Sequence, residues 1–411
     1  MKETINKGCG CNIDIEDIKS QCNVIDACNC NKEEVCQEQC MNEESIFFSG
    51  LCNPEDFNID NGLWTEQSIS GSIYVPFQKP LIEEIDSVNA KIEIVSKKVI
   101  VTPGVVNKNI YNYEGKISTG RKLIIEGLVC LTTSYVSTNK NQSVHSFHGK
   151  VPFSAFIVLP YTSGTGVIDP LDINFIVSAC IEEVCIKSIC DRAVNLTVTF
   201  VLSATKGISS CNKSYFADSG IDCSVNSANS GEQCPACTES NKAVIAGVCS
   251  TAKIQTLLTE ILDDEDNPIP QLWTEISIPE VLTIPSVKPD VDQILSVNSN
   301  IKILCQKVIE TPVAIGANLE NFNLTGKKII IEAVLSQRIT YVSKTDCQSV
   351  HAAHFNVPVS AYIMAPDTTE LTDKFKIIAC LEDIYACVLN DRQIFKNSTL
   401  FLKALPIKCQ I

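Results

Sequence analysis

The residues best suited to chemistry in this chain are its cysteines. The sequence of 411 residues contains 22 of them. Several stand in close pairs: Cys9 and Cys11, Cys28 and Cys30, Cys36 and Cys40, Cys234 and Cys237. Closely spaced thiols can bind zinc, form a redox pair or close disulfides. Only the last pair has the C-x-x-C spacing, and Cys223 and Cys249 beside it do not form a second short pair. The spacing therefore favours disulfides over a zinc or redox site.

The cysteines are concentrated in two polar segments. Residues 1–62 hold eight, and residues 207–270 hold five more among Ser, Asn, Gly and Asp. Such segments bury too little apolar surface to order themselves, so covalent closure would restrict them. The predicted disulfide or cross-link sites are Cys9, Cys11, Cys22, Cys28, Cys30, Cys36, Cys40, Cys52, Cys211, Cys223, Cys234, Cys237, Cys249 and Cys409. Spacing leaves open which cysteines pair, and whether bridges close within a chain or between subunits.

The histidines form two similar pairs, His145 with His148 and His351 with His354. Residues three apart on a strand point to opposite faces, so each pair could chelate one ion only across a bulge or turn. We interpret them as polar strand residues and predict neither a metal site nor a cofactor. Since the sequence also has no Gly-rich phosphate loop, nucleophile elbow or H-E-x-x-H motif, we expect no enzymatic activity.

The charge and hydropathy of the chain argue against nucleic acid and membranes as partners. Asp and Glu outnumber Lys and Arg by 48 to 33, which gives a net charge of -15 and no basic run suited to nucleic acid. No stretch approaches the ~20 apolar residues that span a bilayer, and residues 1–6 have no apolar signal region. We expect a protein made in the cytoplasm without a signal peptide. Its many cysteines favour later deposition on an oxidising surface.

An internal repeat organises the chain. Leu63-Trp64-Thr65-Glu66 recurs as Leu272-Trp273-Thr274-Glu275, at an offset of 209 (273 minus 64). Later matches keep offsets of 206 and 200, because two loops are shorter in the second copy. We expect the two tryptophans to pack in a core or between domains, as aromatic residues of strand-rich proteins usually do.

Each copy has the periodicity of strands. In Val151–Leu159 alternate residues are apolar, and Lys122–Tyr135 and Lys328–Tyr341 are long β-rich stretches. The sequence predicts an all-β protein with two mainly antiparallel, sandwich-like domains in tandem. The predicted divisions are a cysteine-rich arm over 1–62, domains over 63–206 and 271–411, and a cysteine-rich linker over 207–270. Apolar spacing in the linker predicts one short amphipathic helix near 251–262.

The order of motifs in each copy resembles the SPOCS domain, a domain of unknown function (number 3794) found in spore-coat proteins of clostridial and related spore formers. The resemblance is carried by four pairs of matching segments: 75–85 and 284–297, Ser143-Val144-His145 and Ser349-Val350-His351, Val151-Pro152-Phe153 and Val357-Pro358-Val359, Asp191-Arg192 and Asp391-Arg392. It implies assembly rather than catalysis. The family includes a morphogenetic protein that recruits the coat base layer, and tandem members similar to components of spore appendages.

Three hypotheses follow from these observations. The first is a structural subunit of the spore surface, in a coat, exosporium or appendage fibre, that assembles with itself and is cross-linked by disulfides between subunits. The second is an adaptor that binds another spore-coat protein. The third is a zinc or redox protein that uses the cysteine clusters.

Overall fold

The chain folds into two β-sandwich domains in tandem. The computed structural model describes residues 46–53, 57, 59, 62–162, 164, 166–207, 243–318 and 320–407. The predicted all-β fold with mainly antiparallel pairing is confirmed. Twelve of the predicted cysteines lie outside the described residues: Cys9, Cys11, Cys22, Cys28, Cys30, Cys36, Cys40, Cys211, Cys223, Cys234, Cys237 and Cys409.

Domain 1 packs a four-stranded sheet, ordered β1-β3-β6-β7, on a three-stranded sheet, ordered β2-β9-β8. Its strands are β1 (Phe47–Ser49), β2 (Trp64–Tyr74), β3 (Ile82–Val101), β4 (Ile110–Tyr111), β5 (Ile117–Ser118), β6 (Arg121–Ser137), β7 (Val144–Val158), β8 (Phe175–Cys190) and β9 (Ala193–Lys206). A short 3-10 turn (Pro170–Asp172) precedes β8, and β4 and β5 form a small hairpin in the loop between β3 and β6.

Domain 2 repeats this arrangement, with sheets ordered β10-β12-β13-β14 and β11-β16-β15. Its elements are β10 (Val244–Ala246), helix α1 (Thr251–Gln255), β11 (Trp273–Thr283), β12 (Val291–Val313), β13 (Thr325–Ser343), β14 (Val350–Ala365), β15 (Phe375–Asn390) and β16 (Gln393–Pro406). In both domains the short first strand lies parallel to its neighbour, and the other pairings are antiparallel.

Alternating side chains build the core between the two sheets of each domain. On β7, Val151, Phe153, Ala155 and Ile157 are buried against the opposite sheet, as the period of two predicts. Phe153 packs on Phe200 of β9 with ring centroids 4.8 Å apart. The interleaved residues on the other face of the sheet are therefore available for contacts outside the sandwich.

An arginine holds the crossing from one sheet to the other. Arg392, in the turn between β15 and β16, donates to the carbonyls of Ile284 (2.7 Å), Pro285 (2.6 Å) and Lys288 (2.7 Å), all in the segment that connects β11 to β12. Arg192 makes the corresponding contacts in domain 1 with Pro76 and Lys79, each at 3.2 Å. Carbonyls without strand partners need donors, and the planar guanidinium supplies several at once. This explains why the Pro-x-x-Lys-Pro segments, residues 76–80 and 285–289, occur together with the Asp-Arg pairs.

The linker helix is confirmed but shorter than predicted. It begins after Ser250, whose hydroxyl accepts from the backbone N–H of Lys253 at 3.3 Å, and ends at Gln255. Leu257 and Leu258 lie beyond its end, yet they remain buried. Ile261 and Leu262 are exposed, because the chain there turns back through a bridge from Leu262 to Pro268. The apolar spacing continues beyond Gln255, so it predicted a longer helix than the tertiary structure allows.

Candidate assembly site: the cysteines and the face between the domains

Two disulfides attach the cysteine-rich segments to the domains. Cys52 bonds Cys180 of β8, and Cys249 bonds Cys380 of β15, with Cα atoms 5.3 and 5.8 Å apart. Both separations are in the usual range for a disulfide. The predicted sites Cys52 and Cys249 thus form bridges within the chain. Their partners Cys180 and Cys380 were not predicted, because cross-links were expected mainly in the segments outside the β-domains.

A short motif before each disulfide could have revealed the pairing. Gly50-Leu51-Cys52 matches Gly247-Val248-Cys249 at an offset of 197, immediately after strands β1 and β10. The two glycines have φ of 90° and 97°, and an added Cβ would lie 1.9 Å and 1.8 Å from a backbone oxygen of the neighbouring strand. Only glycine fits this conformation and this close approach. The repeat therefore begins before residue 63, inside the segments assigned to the arm and linker.

The histidines lie on regular strands. The pairing of β7 with β6 runs without a register shift through His145 and His148, and β14 is equally regular at His351 and His354. His145 lies 2.8 Å from the Ser143 hydroxyl, and His148 lies 3.0 Å from that of Thr132. No bulge brings either pair to one face. Within the described ranges, no three His, Cys, Asp or Glu side chains are grouped as a metal site would require.

Ion pairs join the two domains. Lys122 of β6 pairs with Glu275 of β11, and both side chains are almost fully buried. Lys98 of β3, whose side chain is 45% exposed, pairs with Asp383 of β15 at 2.5 Å. The four-stranded sheet of domain 1 thus lies with its outer face against the three-stranded sheet of domain 2. The desolvated Lys122–Glu275 pair fixes orientation, because a wrong register would leave a buried charge without its partner.

Hydrogen bonds from uncharged donors also join the two domains. Glu126 accepts from Ser154 at 3.2 Å and from the Asn397 amide at 3.1 Å, and the Ser154 and Ser277 hydroxyls lie 3.3 Å apart. Glu126 is the only acidic residue of β6, and its outward direction on the strand places it in this interface. Its role was not predicted from the sequence, because its partner Asn397 lies 271 residues away along the chain.

Apolar clusters flank the polar contacts. Leu128 and Cys130 of domain 1 pack with Tyr385, Cys387 and Phe395 of domain 2.

A second cluster encloses one of the two tryptophans. Trp273 is 1% exposed and stacks on Phe401, beside Ile110 of domain 1 and Leu258. The expectation of core or interdomain packing thus holds for Trp273. It is wrong for Trp64, which is 49% exposed because nothing among the described residues covers the equivalent face of domain 1.

The interdomain contact contains more carboxyls than ammonium groups. Glu126, Glu275, Glu382 and Asp383 face only Lys98 and Lys122. Burial, followed by the charge of Glu275, raises the pKa of Glu382 well above its ordinary value. Burial and then Asp383 do the same to the pKa of Glu126. These two carboxyls therefore keep protons that the unfolded chain would release.

The raised pKa values of Glu126 and Glu382 predict that the free energy of unfolding depends on pH. A carboxyl with a raised pKa binds its proton more strongly in the folded state, so its contribution to stability is greatest below the ordinary pKa of about 4.3. That contribution falls as pH rises, by up to about 1.4 kcal/mol per pH unit for each carboxyl, until the folded-state pKa is reached. Urea unfolding from pH 5 to pH 8 should show the loss. We expect Glu382→Gln to flatten this dependence and to raise stability at pH 8.

A matched control is Glu183→Gln, at the equivalent exposed region of domain 1 next to Glu182. It should leave the pH dependence unchanged. Equal pH profiles for the parent and Glu382→Gln would show that the buried carboxyl does not retain its proton.

The comparisons with known proteins agree with the duplicated architecture. A family model described as "SipL, SPOCS domain" matches residues 81–177 and again residues 290–389. The matches begin directly after the segments whose carbonyls Arg192 and Arg392 contact. The first ends at the start of β8, before Cys180, and the second extends along β15 past Cys380. Comparisons with curated proteins and with solved structures each gave no match. No helix in the described part of the chain is long and apolar enough to cross a bilayer. The chain is thus a tandem SPOCS-domain protein and belongs to this spore-associated family.

Proposed function

We propose that the chain is a non-enzymatic structural subunit of the bacterial spore surface, in a coat, exosporium or appendage, that assembles with itself. The SPOCS family is not known as an enzyme family, and the fold is all-β. One observation supports the structural role most strongly. Each cysteine-rich segment is anchored to a β-domain by its last cysteine, Cys52 or Cys249.

Each of these disulfides connects its cysteine-rich segment to a β-domain at a fixed point. Seven cysteines precede Cys52 in the arm, and four precede Cys249 in the linker. A thiol on a segment joined to a domain has a higher effective concentration toward a subunit that contacts this domain than a thiol on a separate chain. Disulfides between subunits then make a noncovalent contact resistant to dissociation.

The arm cysteines nearest the N-terminus test the proposal. After oxidation of purified protein, non-reducing electrophoresis should show a ladder of covalent oligomers, and electron microscopy should show fibres or sheets. We expect Cys9→Ser with Cys11→Ser to shift the ladder toward monomer. Cys347→Ser, in an exposed turn of domain 2, is the control and should leave the ladder unchanged.

The outcomes separate the proposal from its alternatives. Monomer at every concentration, oxidised or not, would overturn self-assembly. A stable complex of fixed stoichiometry with another coat protein, without polymers, would indicate the adaptor. Bound zinc in protein purified without oxygen, retained as thiols are titrated, would indicate a metal protein.

A further inference from the structure

We propose that a neighbouring chain docks its domain 1 on the outer face of domain 2, repeating the contact that joins the two domains within one chain. This inference rests on the proposed self-assembly and names its surfaces. The main sheets of the two domains have the same strand order, so interface residues on those strands have equivalents on outer faces. A neighbouring chain can repeat the contact only where those equivalents have complementary charge and shape.

The first ion pair has complementary equivalents. Within the chain, Lys122 of β6 meets Glu275 of β11. The repeat places Lys328 at the position of Lys122 in domain 2, and Glu66 at the position of Glu275 in domain 1. Glu66 is exposed, and Lys328 is partly exposed. A lysine and a glutamate thus stand at the two positions where a neighbouring chain would join.

The second ion pair is also duplicated. Lys98 of β3 meets Asp383 of β15 within the chain. Their equivalents are Lys307 on β12 and Glu183 on β8, and both are exposed. The charge signs are the same as in the Lys98–Asp383 pair. A docked neighbour would therefore satisfy both pairs at once.

A pair of serine hydroxyls in the internal contact also has equivalents on the two outer faces. Ser154 of β7 and Ser277 of β11 lie 3.3 Å apart across the internal contact. Their equivalents, Ser360 on β14 and Ser68 on β2, are both exposed serines.

Local geometry around the charges is already the same on the outer faces. The Lys122 ammonium lies over the Phe156 ring at 4.4 Å, and that of Lys328 lies over the Tyr362 ring at 4.3 Å. Aromatic faces hold ammonium groups in place. On the acidic side, burial and the charge of Glu66 raise the pKa of Glu182, as burial and Glu275 raise that of Glu382. The side chains are therefore positioned for docking before a neighbour arrives.

Exposed apolar groups provide a counterpart to one of the two interdomain apolar clusters, the cluster that contains Trp273. Inside the chain, the loop after β3 places Ile110 beside the buried Trp273. The equivalent loop after β12 carries Ile315, which is fully exposed, and the equivalent tryptophan is the half-exposed Trp64. A neighbouring chain would bring these two groups together and remove both from water.

The contact is heterologous, because it joins different faces of two identical chains. A heterologous contact that does not close on itself generates a filament. The filament would be a continuous row of SPOCS domains, in which contacts within and between chains alternate with the same register.

Charge reversal tests the inference without covalent cross-links. Alkylation of the native protein blocks its thiols and keeps its disulfides, and sedimentation velocity then measures association. The acidic-face variant is Glu66→Lys with Glu183→Lys, and the basic-face variant is Lys307→Glu with Lys328→Glu. Each should associate more than about tenfold more weakly than the parent, because like charges would meet in the contact. Glu83→Lys with Glu84→Lys, on exposed positions of the other sheet of domain 1, is the matched control.

Mixing the two variants identifies a head-to-tail contact. In an equimolar mixture the two unaltered faces match and the two reversed faces are again opposite in charge, so the mixture should associate although neither variant does so alone. Circular dichroism and the unfolding midpoint should be unchanged, since the altered residues lie outside the cores.

The outcomes distinguish this inference from the proposed function. Variants that associate as the parent does would overturn the docking surfaces, even if oxidised parent protein still forms polymers. Single variants that stay monomeric in the mixture would overturn the heterologous geometry. Parent protein that never associates, with or without oxidation, would overturn the proposed function itself.

Discussion

Replacing Lys396 by leucine is expected to destabilise domain 2 by about 3 to 5 kcal/mol, because it leaves a buried carboxylate without its partner. Lys396 is fully buried inside the sandwich, where its ammonium lies 3.3 Å from the Glu280 carboxylate and also contacts Ser398. Gln337 donates to the same carboxylate at 2.8 Å. Burial lowers the pKa of Lys396, and the charge of Glu280 opposes that change.

Domain 1 provides the rescue. At the equivalent positions it has Gly71, Leu131 and Leu196, and the two leucines are buried in its core. Introducing these residues into domain 2 as Glu280→Gly, Gln337→Leu and Lys396→Leu removes every member of the polar group together. Since well-packed apolar residues can replace a buried ion pair without loss, the triple variant should regain most of the stability.

Urea unfolding measures both variants. Fluorescence reports mainly on domain 2, because Trp273 is buried there and Trp64 is half exposed. Lys376→Leu, on an exposed position of β15, should change stability by less than about 0.5 kcal/mol. A parent-like midpoint for Lys396→Leu, or a triple variant weaker than the single one, would contradict the ion-pair interpretation.

Removal of the disulfide between Cys249 and Cys380 is expected to lower the free energy of unfolding of the parent protein by a similarly large amount. The bridge spans 131 residues. In the chain-entropy model a loop of this length stabilises the folded state by about 4 to 5 kcal/mol, because it restricts the unfolded chain. The bridge also fixes β10 and α1 to domain 2, beside the cluster that holds Trp273.

Alanine variants test the pairing directly. Cys249→Ala and Cys380→Ala should each lower the free energy of unfolding by a similar amount, and the double variant should lose no more than either. Additive losses would show that the two cysteines act independently. Cys347→Ala is the control, since this exposed residue is outside both disulfides.

Equivalent variants in domain 1 connect stability to assembly. Cys52 and Cys180 close a bridge over 128 residues, so a comparable loss is expected there. The same change would remove the disulfide that joins the segment with seven further cysteines to β8. Covalent assembly should then become less regular even where domain 1 still folds.

Unequal burial of the two domains has a single physical cause. The β15 strand is buried on both faces, whereas the outward residues of β8 are exposed, although the two strands occupy the same position in the fold. Domain 1 covers the first but nothing in the described chain covers the second. The same explanation accounts for the two tryptophans.

The sequence by itself determined the β-sandwich class, the duplication and the family. Alternation with a period of two is a local property, and a repeat is visible wherever two segments share their residues, so neither requires knowledge of distant contacts. The short linker helix was also predicted, because its Ser250 cap and apolar spacing are local, although its end was not.

Only the tertiary structure decided which cysteines form disulfides and which charged residues form ion pairs between the domains. Cys52 and Cys180 are 128 residues apart, and Lys122 and Glu275 lie in different domains. Pairing over such separations depends on strand order and on how the sandwiches pack, which periodicity does not encode. The contact between domains was therefore absent from the sequence-based prediction, and it is the feature from which the docking of a neighbouring chain is inferred.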